Sequence, residues 1–248
     1  MIRARGVRFS FPGRPVLDSL SVDIEESLTT VIIGRSGIGK SVFLKCITGL
    51  LTPQEGSITI DGDEVVGAGR KELRDLRRRI GMLFQEGALF DSMSVFENVA
   101  FPLVYHKTYG AKEIEKRVMS YLELVSMQEY AEAMPQELSG GMKRKVAVAR
   151  AMILEPKYLL YDEPTAGLDP ITARAIQDLI ARLRAELGMT CLVVSHDLEG
   201  LFHFVDRAAL LYGGKIVASG TPAELRSSGD ELVRQFVTGS VAGPIHVV

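Results

Sequence analysis

The sequence predicts an α/β fold with a mainly parallel sheet, a separate antiparallel β layer near the start of the chain, and a helical subdomain inserted between sheet segments. Three observations carry this expectation. Buried-type apolar runs at "LTTVIIG" (28–34), "KYLLYDE" (157–163) and "TCLVVSH" (190–196) are interleaved with helical stretches, and strand–helix alternation favours parallel pairing. The first strands alternate apolar and polar residues instead, as one-sided antiparallel strands do. From about 92 to 152 the apolar spacing is helical throughout.

Taken in order, "GVRFSF" (6–11) and "VLDSLSVDI" (16–24) alternate, and "LTTVIIG" is a β-branched run ending in Gly34 and a glycine-rich loop. A helix is expected from Lys40 through "KSVFLKCITGLL" (40–51), then a strand "SITI" (57–60) and a turn "DGDE" (61–64). The basic stretch "ELRDLRRRIG" (72–81) reads as the solvated face of a helix rather than a ligand site. The helical segments are "SVFENVAFPL", "AKEIEKRVMSYLELV" and "SGGMKRKVAVARAMI"; a further helix spans 171–187, and strand signals return at "RAALLYGGKIVASG" (207–220). The domains expected are a core of 1–85 with 153–225, a helical subdomain at 86–152, and a tail at 226–248. That tail begins as a short helix and ends in the apolar "PIHVV", which suits either a frayed terminus or docking on a partner.

A chain of 248 residues is long enough for one α/β domain with a smaller subdomain. Its formal net charge of −2 gives no reason to expect nucleic acid or an anionic membrane as partner. The two cysteines, Cys46 and Cys191, sit in apolar patterns without metal-ligand spacing and read as reduced, buried thiols. "MIRARGVRFSF" lacks the apolar core of a secretory signal. No apolar run approaches the roughly 20 residues of a membrane span, so in any membrane process another chain would do the spanning.

The chemistry lies in five motifs. "GRSGIGKS" (34–41) fits the phosphate-binding loop G-x-x-x-x-G-K-[ST] and stands between an expected strand and an expected helix. Gly34, Gly37 and Gly39 let the backbone curl around phosphates, Lys40 brings a cation to the terminal ones, and Ser41 offers a hydroxyl to Mg²⁺. Arg35, Ser36, Ile38 and Val42 complete the expected nucleotide-contacting set. "YLLYDE" delivers Asp162 and Glu163 at the end of a buried strand, placing Asp162 to hold Mg²⁺ through water and Glu163 to polarise the attacking water. His196 ends "TCLVVSH", from where it can approach the γ-phosphate. Gln85, in "GMLFQEG", is an amide that can bind water or metal and act at a hinge. "LSGGM" (138–142) opens a helix with Ser139, Gly140 and Gly141, leaving backbone N–H groups suited to an anion.

With these motifs in this order, "DEPTAGLD" included, the chain resembles the nucleotide-binding subunit of an ATP-binding cassette (ABC) transporter from about residue 2 to 225. The resemblance implies a P-loop NTPase (RecA-like) core, ATP and Mg²⁺ as cofactors, and two copies meeting head to tail with two ATPs at the seam. Ser139, Gly140 and Gly141 of one copy would then cap the γ-phosphate facing Lys40 of the other, and Asp169 would link the two sites. In the family an aromatic residue before the first turn stacks on adenine; Phe11 takes that place, although the apolar face of "VRFSF" also suits Phe11 as core.

"SGIGKS", "QEGALFDSMSVFENVAFPL", "MPQELSGGMKRKVAVARA" and "GLDPI" further resemble the ATPase of Mla/Mce-type lipid transporters; Met142 stands where Gln is commoner in the wider family. That subfamily implies a peripheral place on the cytoplasmic face of the inner membrane. Its expected partners are permease subunits, an Mce-domain lipid-binding protein and, in some systems, a STAS-domain protein, with no nucleic acid. The tail resembles an extension that reaches the opposite subunit. Leu89, Phe90, Met93 and Phe96 would line a permease-docking groove, with core packing as the alternative, favoured for Phe96. An importer ATPase for a small solute and a soluble ABC ATPase remain rivals; a P-loop kinase would lack LSGGM.

Overall fold

The computed structural model describes residues 1–85, 87–107, 109–196, 201–202 and 204–245. In chain order the first elements are β1 (Ile2–Phe11), β2 (Arg14–Ile24), β3 (Thr29–Ile33), α1 (Lys40–Ile47), β4 (Glu55–Ile60), β5 (Asp63–Glu64), α2 (Arg70–Arg78) and β6 (Ile80–Leu83). Then come α3 (Val95–His106), α4 (Ala111–Leu124), α5 (Gly140–Met152), β7 (Tyr158–Asp162) and α6 (Pro170–Leu187). The chain continues with β8 (Thr190–Ser195), β9 (Arg207–Tyr212), β10 (Lys215–Gly220), α7 (Pro222–Arg226) and α8 (Glu231–Thr238). It divides into two compact units, Met1–Leu76 with the described part of Thr190–Val248, and Arg77–Met189. The second is broader than the helical segment read from the sequence at 86–152, because β6, β7 and α6 belong to it.

In the first unit the antiparallel layer runs β2-β1-β4-β5. Ile2, Ala4, Val7 and Phe9 face its core. The alternation slips by one between Ala4 and Val7, where Gly6 takes φ 58° and the β1–β2 register shifts; the bulge puts the apolar residues on both sides of it onto one face. β3 is buried at every position and lies between β8 and β9, parallel to both. β10 departs from the parallel arrangement: it pairs antiparallel with β9 through Gly213 and Gly214, both at positive φ, as a two-residue hairpin turn of the primed type requires.

The tail does not fray up to Ile245, which is buried. Its N–H donates to Gln235 Oε1 at 2.6 Å and its carbonyl accepts from Gln235 Nε2 at 3.0 Å, folding the segment back on α8. The last positions of "PIHVV", 246–248, lie outside the described residues.

In the second unit β6 and β7 pair in parallel. The stretch from 92 to 152 is not helical throughout. Loops separate α3, α4 and α5, with two short 3₁₀ turns at Gln128–Tyr130 and Pro135–Glu137. α3 starts on a reciprocal cap between Ser94 and Glu97, and α6 on Asp169 followed by Pro170, ending at Gly188 with φ 64°. Among the described residues no helix is long and apolar enough to cross a membrane.

Candidate functional site

In the first unit the glycine-rich loop leaves the buried end of β3. A Cβ on Gly34 would stand 2.7 Å from the carbonyl oxygen of Leu211, so the loop passes where only glycine fits. Gly37 and Gly39 take φ 75° and 118°. Gly39 caps α1, with no capping side chain and no acid in the helix's first turn. A helix end of that form suits a phosphate. Lys40 is buried, and its ammonium donates to the carbonyls of Gly34 at 2.8 Å and Arg35 at 3.0 Å. Arg35, Ser36 and Gly37 are exposed, while Ile38, Ser41 and Val42 are half-buried.

Strand register brings His196 to the same end. Ile33 pairs with Ser195, so Gly34 and His196 are the next residues out of adjacent parallel strands. β8 itself ends at Ser195, and His196 is exposed beyond it. Phe11 is 45% exposed and meets the buried Phe9 edge-on at 5.0 Å between ring centres. Its reading as plain core is therefore set aside.

In the second unit the same logic gathers a second set. Leu83 pairs with Tyr161, the last pair between β6 and β7. Gln85 and Glu163 each lie two residues further on, with Asp162 at the strand's end. Asp162 and Glu163 are buried; Gln85 is exposed, in a turn beyond β6 rather than on the strand itself. Glu163 adopts φ 48°, an uncommon left-handed backbone for such a residue, and its carbonyl accepts from the Ala166 N–H at 3.1 Å.

The LSGGM segment begins α5. Ser139 is its N-cap, accepting from the Met142 N–H at 3.3 Å; Ser139 and Gly140 are exposed, and Gly141 is half-buried. The glycines also have a packing reason. A Cβ on Gly140 would stand 3.3 Å from Leu168 Cδ2, and one on Gly141 2.5 Å from Thr172 Cγ2. Asp169 caps α6, accepting from the N–H groups of Ile171 and Thr172 at 3.0 Å each. The Thr172 bonds hold its carboxyl below the ordinary range.

Sequence reasoning missed three residues of this unit. Arg144, on α5, is buried; it donates through Nη1 to the carbonyls of Phe84 at 3.0 Å and Gln85, and through Nη2 to that of Ala166 at 3.2 Å. Arg150 donates to the carbonyls of Gly87 at 2.7 Å and Ala88 at 2.8 Å, and burial lowers its pKa to about 10. Asn98 is fully buried, taking the Phe90 N–H at 2.8 Å and donating to the carbonyls of Phe90, Met93 and Ser94 at 3.0–3.1 Å. The signal for Asn98 was a lone amide inside an apolar helix. The arginines had none, because their partners are backbone carbonyls distant in sequence. Of the apolar set expected on this segment, Phe90 is exposed, while Leu89, Met93 and Phe96 are half-buried. Phe90 packs on Phe101 at 4.8 Å, and Phe101 stacks with the exposed Tyr105 at 6.1 Å.

The ABC transporter family model matches residues 17–166. The chain belongs to the ABC transporter family. The cassette is 42% identical over 245 residues to the intermembrane phospholipid transport system ATP-binding protein MlaF of Escherichia coli (strain K12), covering 99% of this chain and 91% of that one. To the MlaF of Haemophilus influenzae it is 41% identical, covering 99% and 93%. The "probable ribonucleotide transport ATP-binding protein mkl" of Mycobacterium tuberculosis (strain H37Rv) is 38% identical, covering 98% and 68%.

Among solved structures, the dimeric post-hydrolysis state of the ATP-binding cassette MJ0796 bound to ADP and Pi superposes with TM-score 0.81 at 31% identity, over 90% of this chain and 99% of that one. The structure of cbiO1 from Clostridium perfringens, part of the ABC transporter complex cbiONQ, superposes with TM-score 0.84 at 29% identity, over 94% of this chain and 93% of that one. Family membership makes this cassette an ATP hydrolase.

Proposed function

We propose that this cassette hydrolyses ATP to drive phospholipid movement between membranes, as two copies paired head to tail beneath an integral-membrane permease. The lipid reading is carried by the 42% identity to a phospholipid-transport ATPase along 99% of the chain. The pairing is supported by the dimeric cassette of similar fold, and by the exposure of Ser139 and Gly140 at the start of the LSGGM helix. Its place would be peripheral, on the cytoplasmic face of the inner membrane. An Mce-domain lipid-binding protein and a STAS-domain protein are the further partners that the subfamily resemblance proposes.

The residues divide the chemistry. Lys40 and the Gly34–Val42 loop would hold the ATP phosphates, and Phe11 would stack on the adenine. Ser41, Gln85 and Asp162, the last through water, would hold Mg²⁺. Among the described residues there is no group of His, Cys, Asp and Glu able to hold a metal alone. A hydroxyl, an amide and one carboxylate are hard oxygen donors of the kind that share Mg²⁺ with phosphates. When bound, the ion would neutralise charge on the β- and γ-phosphates.

Glu163 would polarise the attacking water and His196 would approach the γ-phosphate. Ser139, Gly140 and Gly141 would cap the γ-phosphate of ATP held by the other copy, and Asp169 would lie along the seam. Donors supplied from two chains make hydrolysis depend on closure. In this reading 1–85 with 153–225 bind nucleotide, 86–152 carries the signature and the permease surface, and 226–248 is the tail.

The mycobacterial relative, named for ribonucleotide transport, favours small-solute transport as a second reading. Purification of the tagged chain from detergent-solubilised membranes separates the two. Co-purifying permease and Mce-domain chains with bound phospholipid, identified by mass spectrometry, are expected. A complex carrying a soluble-solute receptor and no lipid, or no membrane chain at all, would overturn the lipid reading.

A further inference from the structure

We infer that Arg144 is a positioning residue that fastens Gln85 and the Ala166 turn to the LSGGM helix, so that these three parts of the ATPase site shift as one piece. The inference rests on the ATPase reading above and goes beyond it in assigning this side chain.

Arg144 sits on α5, five residues after Ser139, and is 5% exposed. Its guanidinium spreads over two separate loops: Phe84 and Gln85 after β6, and Ala166 between Glu163 and Asp169. A planar fork with donors on several nitrogens can bond carbonyls on both loops at once; a lysine ammonium, a compact point donor, cannot span them in the same geometry. Those carbonyls offset part of the desolvation cost of the buried cation while they stay in place. Displacing either loop from α5 would therefore break charge-assisted bonds to a buried guanidinium, and that cost opposes their separation.

Neighbouring contacts run the same way. Gly140 and Gly141 pack against Leu168 and Thr172 so closely that Gly141 has no room for a Cβ without moving Thr172. Arg150, two turns further along α5, holds the carbonyls of Gly87 and Ala88. The α5 helix thus bonds the backbone at 84, 85, 87 and 88, but the tie to the Ala166 turn comes from Arg144. Glu163 begins that turn and Asp169 ends it. An arginine there would set the spacing between the glutamine that contacts Mg²⁺ and the turn that carries the water-polarising carboxylate, without touching ATP itself.

The test uses the complex purified through the tagged chain, with Arg144→Lys and Arg144→Ala compared with wild type. Expected for Arg144→Lys is a fall of tenfold or more in kcat for phosphate release, with KM and the dissociation constant of a fluorescent ATP analogue within threefold of wild type. Arg150→Lys, which leaves the Ala166 bond in place, should lose less of kcat. Wild-type kcat in Arg144→Lys would overturn the inference. So would failure of both Arg144 variants to fold, or loss of ATP binding in step with turnover, because either makes Arg144 only a scaffold residue. A wild-type complex that binds no ATP and releases no phosphate would instead sink the ATPase reading beneath it.

Discussion

The Lys40 ammonium donates at 2.8 Å to the carbonyl oxygen of Gly34, the residue at the start of its own loop. The cation is thereby held over the loop in a buried setting, where a phosphate oxygen would meet it with little water between. Lys40→Ala removes the buried cation at the loop's helix end. A charge-assisted hydrogen bond contributes about 1.5–3 kcal/mol, so ATP affinity should fall roughly ten- to hundredfold. Titration with a fluorescent ATP analogue checks this, and affinity within threefold of wild type would count against the assignment of the loop.

Two glycines of that loop should differ in what they tolerate. At Gly39 a Cβ would stand 2.7 Å from Val16 Cγ1 and 3.3 Å from the Val16 carbonyl, on a backbone at φ 118°. At Gly37, φ is 75° and no atom lies within 4 Å. Gly37→Ala therefore meets only the left-handed backbone cost, about 1–2 kcal/mol. Gly39→Ala adds overpacking of a further ~1–3 kcal/mol. Thermal melting should place Gly39→Ala below Gly37→Ala by several degrees; the reverse order would refute the packing argument.

Strand positions were legible in the sequence because buried β-branched runs such as Thr29–Ile33 leave little choice of structure. The loop motif was legible because its glycines and Lys40 are fixed by local geometry. The bulge at Gly6 and the antiparallel turn of β10 were not, since both depend on which strand lies alongside. Asp169 was read for its place beside a seam, but its N-cap bonds to Ile171 and Thr172 have a local cause visible in "DPIT". Arg144 was invisible for a physical reason: its partners are backbone carbonyls some 60 and 20 positions away, and carbonyls have no residue type to read.

Asn98 should be among the residues least tolerant of replacement in the second unit. Asn98→Leu keeps the volume but strips the Phe90 N–H and the Met93 carbonyl of the amide that bonds them at 2.8 and 3.0 Å. Two part-buried groups losing such partners cost about 1–3 kcal/mol in all. Urea unfolding should show a matching loss of stability, and limited proteolysis should now cut between Phe90 and Ser94. A variant as stable and resistant as wild type would show that the 90–94 loop is held by other means.

Asp169 ties the stability of α6 to acid pH. Bonds from the Thr172 side chain and N–H hold its folded pKa below the ordinary 3.8. Between the two values the unfolded chain binds more protons than the folded one, so stability falls as pH falls. The capping contribution is thus fully present above the ordinary value and is lost as pH drops through the folded one. Asp169→Asn keeps a capping oxygen but no titrating group. The difference in melting temperature between wild type and Asp169→Asn should therefore change between pH 5 and pH 3, with wild type losing more. Parallel curves would show that the carboxylate does not titrate through this cap.

Phe11 offers a way to separate base recognition from phosphate recognition. Its ring is 45% exposed and forms a T-shaped pair with Phe9, so part of it is accessible to a ligand. Base–aromatic stacking is worth about 1–3 kcal/mol on alanine substitution. Phe11→Ala should thus weaken ATP and ADP binding roughly five- to hundredfold, while Phe11→Trp keeps or strengthens it. Tripolyphosphate, which has no base, should bind both variants as it binds wild type, because the Gly34–Ser41 loop is untouched. If Phe11→Ala weakened tripolyphosphate and ATP equally, the ring would be acting through the folding of β1 rather than on adenine, and the melting temperature would fall with it.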